Sequence, residues 1–145
     1  MLGIVRGPIV LERLIEAVRD NRYGAIVTFS GVVRSRSDDN RQISGLSYEA
    51  YEKMVLLQMD EIIAQVGANF GDCAIAMVHR TGELLPGESS VAVAVAAPHR
   101  KAAFMACEFA IDALKERAAV WKKEHFGDAT PSIWRENRGA LESGR

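Results

Sequence analysis

The chain contains 145 residues, 48% of them hydrophobic and 26% charged, and its 18 Lys and Arg against 19 Asp and Glu give a net charge of −1. One domain over residues 1-145 accommodates this length, and a domain of this size buries about 70% of the surface that its unfolded chain exposes. The balanced charge excludes a general attraction to nucleic acids or anionic membranes, so any anion-binding site must be local, and no apolar run reaches the ~18 residues of a membrane span.

Periodicity in the first half of the chain predicts two helices and two strands. Apolar residues at helical spacing predict a first helix over 10–18 and a second helix over 55–66. Between them, residues 25–33 are rich in β-forming side chains and residues 46–50 alternate apolar with polar ones, so we expect two strands that form a hairpin. The polar residues 34–42 predict a surface loop between these strands.

The second half of the chain is predicted to contain two more strands and a long final helix. One strand is expected over 73–79, and residues 90–97 are apolar on both faces, which is typical of a central strand. An apolar stripe predicts a last helix that begins within 98–101 and extends to about Glu124, followed by an irregular tail. This order of elements favours an α+β fold in which helices pack on a mainly antiparallel or mixed sheet.

The start of the last helix is a candidate anion-binding site. Unpaired N–H groups and the positive end of the helix dipole attract anions at a helix N-terminus. Here His99 and Arg100 follow Pro98, and the guanidinium adds a planar fork of donors that suits phosphate. The alternative is that these are surface residues without a ligand.

Lys115 and Lys122 are the candidate reactive residues. On the predicted helix they share one face and lie about 10.5 Å apart along the axis. Each directly follows a residue of the apolar stripe, Leu114 or Trp121, and Lys122 has no acidic residue three or four positions away. Partial burial lowers the pKa of a lysine and equips it to act as an acid, a base or a nucleophile. The alternative is that both aliphatic stems follow the edge of the core while the ammonium groups stay in water.

Arg34 is a third candidate for ligand binding. It lies where a predicted strand gives way to the polar loop, a common position for side chains that contact ligands. The neighbouring Arg36 and Arg41 are expected to be neutralised locally by Asp38 and Asp39.

The length of the last helix constrains how the cationic residues cooperate. Arg100 and Lys115 are separated by about 22 Å of helix axis, too far to meet on one small molecule within one chain. If both residues bind substrate, one of them must come from a second subunit. We therefore expect a symmetric homodimer with composite sites.

The cysteines and the other histidines predict no further chemistry. Cys73 and Cys107 have the spacing of neither a disulfide framework nor a zinc site, and both are expected in the core. His79 and His125 lack the spacing of metal ligands, so no metal is expected, and the absence of a nucleotide-binding glycine motif predicts no cofactor. This cysteine usage is typical of a reduced, cytoplasmic protein.

Five blocks of sequence carry a family resemblance. They are 24–34 (GAIVTFSGVVR), 46–51 (LSYEAY), 79–84 (HRTGEL), 98–100 (PHR), and 114–118 (LKERA) with 121–124 (WKKE). In this order, over most of the chain, they resemble the large, catalytic subunit of molybdopterin synthase. The resemblance implies a fold like the α/β-hammerhead.

The resemblance also implies a reaction and its partners. The expected reaction, part of molybdenum cofactor biosynthesis, converts cyclic pyranopterin monophosphate (precursor Z) to molybdopterin by installing two sulfurs as a dithiolene. The implied sulfur donor is a small ubiquitin-like subunit with a C-terminal Gly-Gly thiocarboxylate, and the implied assembly is a heterotetramer around a homodimer of large subunits. The alternative is a non-catalytic anion-binding or scaffold protein of the same fold.

Carried over position by position, the resemblance implies that Lys115 and Lys122 are catalytic. The implied substrate-binding set comprises Val32, Val33, Arg34, His99, Arg100, Lys115, Lys122, Lys123 and Glu124. Two departures from the family pattern affect this assignment. The loop 35–42 lacks an expected glycine, and the tail beyond the last block matches only loosely, which leaves Arg135 and Arg138 as extra candidates for the pocket.

Overall fold

A computed structural model describes residues 1–137 of the chain. Within this range the elements are, in order, β1 (Leu2–Val5), α1 (Leu11–Val18), β2 (Ala25–Val32), β3 (Ile43–Ala50), α2 (Glu52–Phe70), β4 (Ala74–Arg80), β5 (Gly82–Leu84), β6 (Ser89–Ala97), α3 (Arg100–Arg117), β7 (Val120–Phe126) and β8 (Ile133–Glu136). None of the helices in the described part of the chain is long and apolar enough to cross a membrane.

The first sheet has the strand order β1-β4-β6-β2 and is mixed. β6 runs antiparallel to both of its neighbours, whereas β1 is parallel to β4. Both faces of β6 are covered: Ala92, Ala94 and Ala96 pack with residues of α1, and the alternate residues Val91 and Val93 join the larger core of α2 and α3. This two-sided burial confirms the prediction of a central strand over 90–97.

The second sheet has the order β5-β3-β7-β8 and is antiparallel throughout. In its register Tyr48 lies opposite Lys122 and Leu46 lies opposite Glu124. Because side chains alternate along a strand, Lys122 and Glu124 project from the same face as these two partners, and Lys123 projects from the other face. The alternation thus decides which residues of β7 reach the interior.

The last helix is shorter than the sequence pattern predicts, and the prediction was wrong beyond Arg117. Ala118 adopts an extended conformation with φ −62° and ψ 131°, and β7 begins at Val120. The helical spacing of apolar residues continues past this point, yet the backbone of 120–126 pairs with β3 and β8. Pairing with distant strands therefore overrides the local helical pattern.

The predicted hairpin and the predicted irregular tail were also wrong. β2 pairs with β6 in the first sheet, whereas β3 pairs with β5 and β7 in the second, so the loop between them carries the chain from one sheet to the other. Residues of the tail form β8 against β7. The strands β1 and β5, four and three residues long, are too short for a periodic signal. The predicted class, α+β with helices on mixed and antiparallel sheets, is confirmed.

Candidate active site

A cleft of about 190 Å³ opens where the end of β2 meets β3, β7 and the last turn of α3. Its lining combines a hydrophobic floor with several charged side chains. The lining residues are Gly31, Val32, Val33, Arg34, Asp38, Ile43, Leu46, Tyr48, Ser90, Lys115, Lys122, Glu124 and Asn137.

Lys115 reaches the cleft from the last turn of α3, next to the buried Leu114. Its Nζ donates a hydrogen bond to Oδ1 of Asn137 over 3.5 Å. Burial, together with the smaller effect of the nearby charge of Lys122, lowers the pKa of Lys115 to about 8. At pH 7 about a tenth of the molecules then carry a neutral amine at this position. The expectation of a partly buried lysine with a lowered pKa is confirmed for Lys115.

Lys122 lies on the strand β7 and forms an ion pair within that strand. Its Nζ is 3.6 Å from Oε1 of Glu124, whose side chain is 11% exposed. Lys122 has no acidic partner at the helical offsets of three and four residues, which is why none was expected. In a strand, the residue two positions away lies on the same face, so Glu124 is the natural partner.

Arg34 lines the cleft, is exposed, and lies two residues after the end of β2. Its Nη1 is 2.9 Å from Oδ1 of Asp38, and the two side chains are 60% and 81% exposed. Such an exposed pair contributes about 0–1 kcal/mol, so an incoming anion can replace Asp38 at low cost. The expectation that Asp38 and Asp39 neutralise Arg36 and Arg41 is confirmed for the pair of Asp39 with Arg41, whereas Arg36 contacts Asn40 and Asp38 pairs with Arg34.

Three residues of the expected binding set do not line the cleft. His99 and Arg100 are exposed at the start of α3, and about 22 Å of helix axis separates Arg100 from Lys115. Lys123 projects from the opposite face of the sheet, where its Nζ lies 5.6 Å from the centroid of the Trp134 ring. The residues of the set that the fold brings together are Val32, Val33, Arg34, Lys115, Lys122 and Glu124.

The two additional arginines of the tail fall in different places. Arg135 lies on β8 opposite Lys122, so it shares the face of the sheet that carries the cleft, and it is exposed. Arg138 lies outside the described residues.

Two polar residues beside Lys115 were not predicted from the sequence as part of the site. Asn137 follows β8, is 7% exposed, and contacts both Lys115 and His79. His79 is 1% exposed on β4, and burial lowers its pKa to about 4, so the ring is neutral at physiological pH. The ring lies edge-on to Tyr48, with 5.3 Å between centroids. The sequence offered only a weak signal, a histidine within an otherwise apolar strand, and none for Asn137.

The arrangement suits an anionic small molecule on which a proton is moved. Arg34, Lys115 and Lys122 supply positive charge, and Glu124 keeps one of these charges fixed. An amine with a pKa near 8 exchanges protons readily at neutral pH and is a nucleophile when neutral. The cysteines Cys73 and Cys107 are not among the lining residues.

Comparison with known proteins identifies relatives over most of the chain. Residues 4–117 match the model of the family described as MoaE protein. The chain is 40% identical over 133 residues to the molybdopterin synthase catalytic subunit of Nostoc sp., covering 91% of this chain and 79% of that protein. It is 40% identical over 125 residues to the molybdopterin synthase catalytic subunit of Bacillus subtilis, covering 86% and 79%.

Solved structures that resemble this chain carry related names. Molybdopterin synthase from Staphylococcus aureus superposes with a TM-score of 0.86 at 35% identity, over 91% of this chain and 94% of that one. A complex of subunits 1 and 2 of the molybdopterin-converting factor from Helicobacter pylori superposes with a TM-score of 0.75 at 25% identity, over 99% and 96%.

Proposed function

The chain belongs to the MoaE protein family, whose named relatives are molybdopterin synthase catalytic subunits, and we propose that its cleft converts cyclic pyranopterin monophosphate to molybdopterin. It is a sulfur-transferring enzyme, and two sulfur atoms are installed in the product as a dithiolene. The observation that carries this proposal is the Lys115 amine, with a pKa of about 8, in a cleft shared with Arg34 and Lys122.

The charged residues of the cleft divide the work of binding and chemistry. Arg34 releases Asp38 and binds the phosphate or the pterin oxygens of the substrate, for which a planar guanidinium is suited. Lys122, held by Glu124, neutralises the sulfur anion of the donor. As the sulfur bonds to the substrate carbon, a carbon–oxygen bond at that carbon breaks, and the oxygen departs on the phosphate or as water with a proton supplied by Lys115. The bond from sulfur to the donor carbonyl then breaks on addition of water, which leaves the donor as a carboxylate.

The sulfur donor is a second protein, a small ubiquitin-like subunit that ends in a Gly-Gly thiocarboxylate. Two observations support a separate donor. The cleft-lining residues include no cysteine that could carry the sulfur. The Helicobacter pylori neighbour is a complex of two subunits of a converting factor. The small, partly hydrophobic cleft, with a volume of about 190 Å³, suits an extended tail without bulky side chains, such as a pair of glycines.

His99 and Arg100 serve the site of a second copy of the chain. Both residues are exposed and too distant from the cleft of their own chain, and Arg100 carries a positive charge, which supports a homodimer with composite sites. With a small subunit on each copy the assembly is a heterotetramer. The reaction takes place in the cytoplasm, where thiol chemistry is maintained in the reduced state.

Reconstitution from purified components tests the function. The chain, the thiocarboxylated small subunit and the substrate are incubated together, and the dithiolene product is measured by mass spectrometry. The matched control replaces the donor by the same subunit with an ordinary C-terminal carboxylate. Product only with the thiocarboxylate is expected. Binding of the substrate without any product in either case would instead identify a non-catalytic anion-binding or scaffold protein.

A further inference from the structure

Behind the cleft, three side chains form a continuous line of hydrogen bonds that ends at Lys115. The Nδ1 of His79 lies 2.9 Å from the carbonyl oxygen of Arg80. The Nε2 of the same ring lies 3.3 Å from Nδ2 of Asn137, and Oδ1 of Asn137 lies 3.5 Å from Nζ of Lys115. The middle of this line is buried, since His79 is 1% and Asn137 7% exposed.

The chemistry of the two ends fixes the direction of every hydrogen bond. A backbone carbonyl oxygen only accepts, so His79 Nδ1 carries a hydrogen and donates a hydrogen bond to the carbonyl oxygen of Arg80. The neutral ring then presents Nε2 as an acceptor, and Asn137 must direct its NH2 group towards it. The carbonyl oxygen of the carboxamide is thereby turned towards Lys115, whose ammonium only donates.

We infer that Asn137, oriented by His79, is a positioning residue that holds Nζ of Lys115 in the cleft, an assignment that rests on the function proposed above. An ammonium and a neutral amine both donate to Oδ1, so the contact persists when the lysine loses its proton. In the neutral amine, one N–H is committed to Asn137, and the lone pair points away from that bond. The lone pair is therefore restricted to the two remaining tetrahedral positions of Nζ, both of which point away from Asn137.

The other charges around Lys115 do not replace this contact. Lys122 is cationic and repels the ammonium, and Arg34 carries the same sign. The cleft carboxylates, Glu124 and Asp38, are engaged by Lys122 and Arg34 respectively. Among residues 1–137, the carboxamide oxygen is thus the acceptor that lies within hydrogen-bond distance of the amine, a weak partner that leaves the lysine able to titrate.

Two substitutions that should shift the pKa of Lys115 in opposite directions test the assignment. Asn137→Asp places a carboxylate beside the ammonium and should raise the pKa of Lys115 by about one unit or more. Asn137→Leu keeps the branched outline of the side chain but removes the acceptor, and should lower the pKa of Lys115. The charge of His79 does not contribute to the measured shift. Even if the new carboxylate raises the pKa of His79 by ~2 units from about 4, the ring stays neutral at pH 8. Asn69→Asp, on the exposed face of α2, matches the change in net charge.

The measurement is the rate at which an amine-reactive reagent labels Lys115 in the full-length chain as a function of pH, read by peptide mass spectrometry. Opposite shifts of the labelling midpoint in the two variants, with none in Asn69→Asp, support the assignment. Each variant is decisive alone, so failure of one to fold leaves the other as the test. An unchanged midpoint in a folded variant overturns the positioning role.

The pH profile of product formation by the complex separates this inference from the proposed function. In each Asn137 variant, we expect the acid limb of the pH profile of product formation to shift in the same direction as the midpoint of Lys115 labelling. If the wild-type complex forms product but the variants retain its pH profile, the positioning role fails and the function stands. If the wild-type complex forms no product, the function fails, and the role of Asn137 in the reaction fails with it.

Discussion

Lys115 and Lys122 reach one cleft from two different elements, the first from the last turn of α3 and the second from β7. They are not held together by a common helix, so each position is fixed by its own neighbours, Asn137 for Lys115 and Glu124 for Lys122. Their mutual repulsion adds to burial in lowering the pKa of Lys115 to about 8. The cleft therefore uses one lysine to adjust the acidity of the other.

Removing the charge of Lys122 should make Lys115 a weaker acid. In Lys122→Gln the repulsion that disfavours the ammonium is lost, so the pKa of Lys115 rises from about 8, while burial still keeps it below 10.5. The midpoint of amine labelling measures the shift. Lys123→Gln is the matched comparison, because the side chain of Lys123 projects from the face of β7 opposite to that of Lys122. A shift from Lys123→Gln as large as that from Lys122→Gln would contradict this account.

Replacing Lys115 by Met should stabilise the fold at neutral pH. Because the pKa of Lys115 is lowered to about 8 in the folded chain, the full cost of burying its positive charge opposes folding below pH 8. Between about 8 and 10.5 the unfolded chain binds more protons than the folded one, so the free energy of unfolding rises with pH and the penalty disappears. The full shift would correspond to about 3 kcal/mol, and partial exposure of the side chain reduces the expected gain to about 1–2 kcal/mol.

Urea denaturation at pH 7 and pH 10 measures this effect. The stabilisation by Lys115→Met should be largest at pH 7 and small at pH 10. Lys53→Met, on the exposed face of α2, provides the control and should show no such pH dependence. Equal stabilisation at both pH values would mean that the burial of the charge is not its cause.

Gly24 should tolerate no side chain, because it approaches the start of the last helix closely. A Cβ at Gly24 would lie 2.7 Å from the carbonyl oxygen of Pro98, to which Gly24 donates a hydrogen bond. Gly24→Ala should therefore destabilise the fold by about 1–3 kcal/mol. At Gly67, inside α2, a Cβ meets no atom within 4 Å, so Gly67→Ala should stabilise it by about 0.5–1 kcal/mol. Urea midpoints of both variants give the comparison, and a loss at Gly67 similar to that at Gly24 would contradict it.

Composite sites across a homodimer predict rescue between two inactive variants. Arg100→Ala and Lys115→Ala each remove one part of a site, and mixed dimers regain one intact site when the two parts come from different chains. After subunit exchange verified by mass, activity should recover to about a quarter of the wild-type level. Absence of recovery despite complete exchange would contradict a site that combines Arg100 of one chain with Lys115 of the other.

Sequence periodicity predicted those elements whose burial leaves a local signature. The run from Ser90 to Ala97 indicates a strand covered on both faces, and α2 follows from its apolar spacing. The end of α3 could not be predicted in this way. Residues 118–124 combine apolar spacing with good helix formers, but pairing with β3, which lies far away in sequence, makes them a strand.

The candidate site was predicted in part and partly for the wrong reason. Arg34 and Lys115 were chosen from strand-end position and from the edge of an apolar stripe, and both line the cleft. Lys122 also lines it, yet its expected place on a shared helix was wrong. Asn137 and His79 join the site through contacts between distant parts of the chain, which no local spacing records.

The most direct test of the account is the rate of product formation by the reconstituted complex when Lys115 is replaced by Ala. We predict a fall in kcat of about 100-fold or more, because the group that exchanges protons in the cleft is lost, while the fold and the binding of the small subunit persist. Lys53→Ala, on the exposed face of α2, should retain wild-type activity. Wild-type turnover by a folded Lys115→Ala complex would contradict the central role of this lysine.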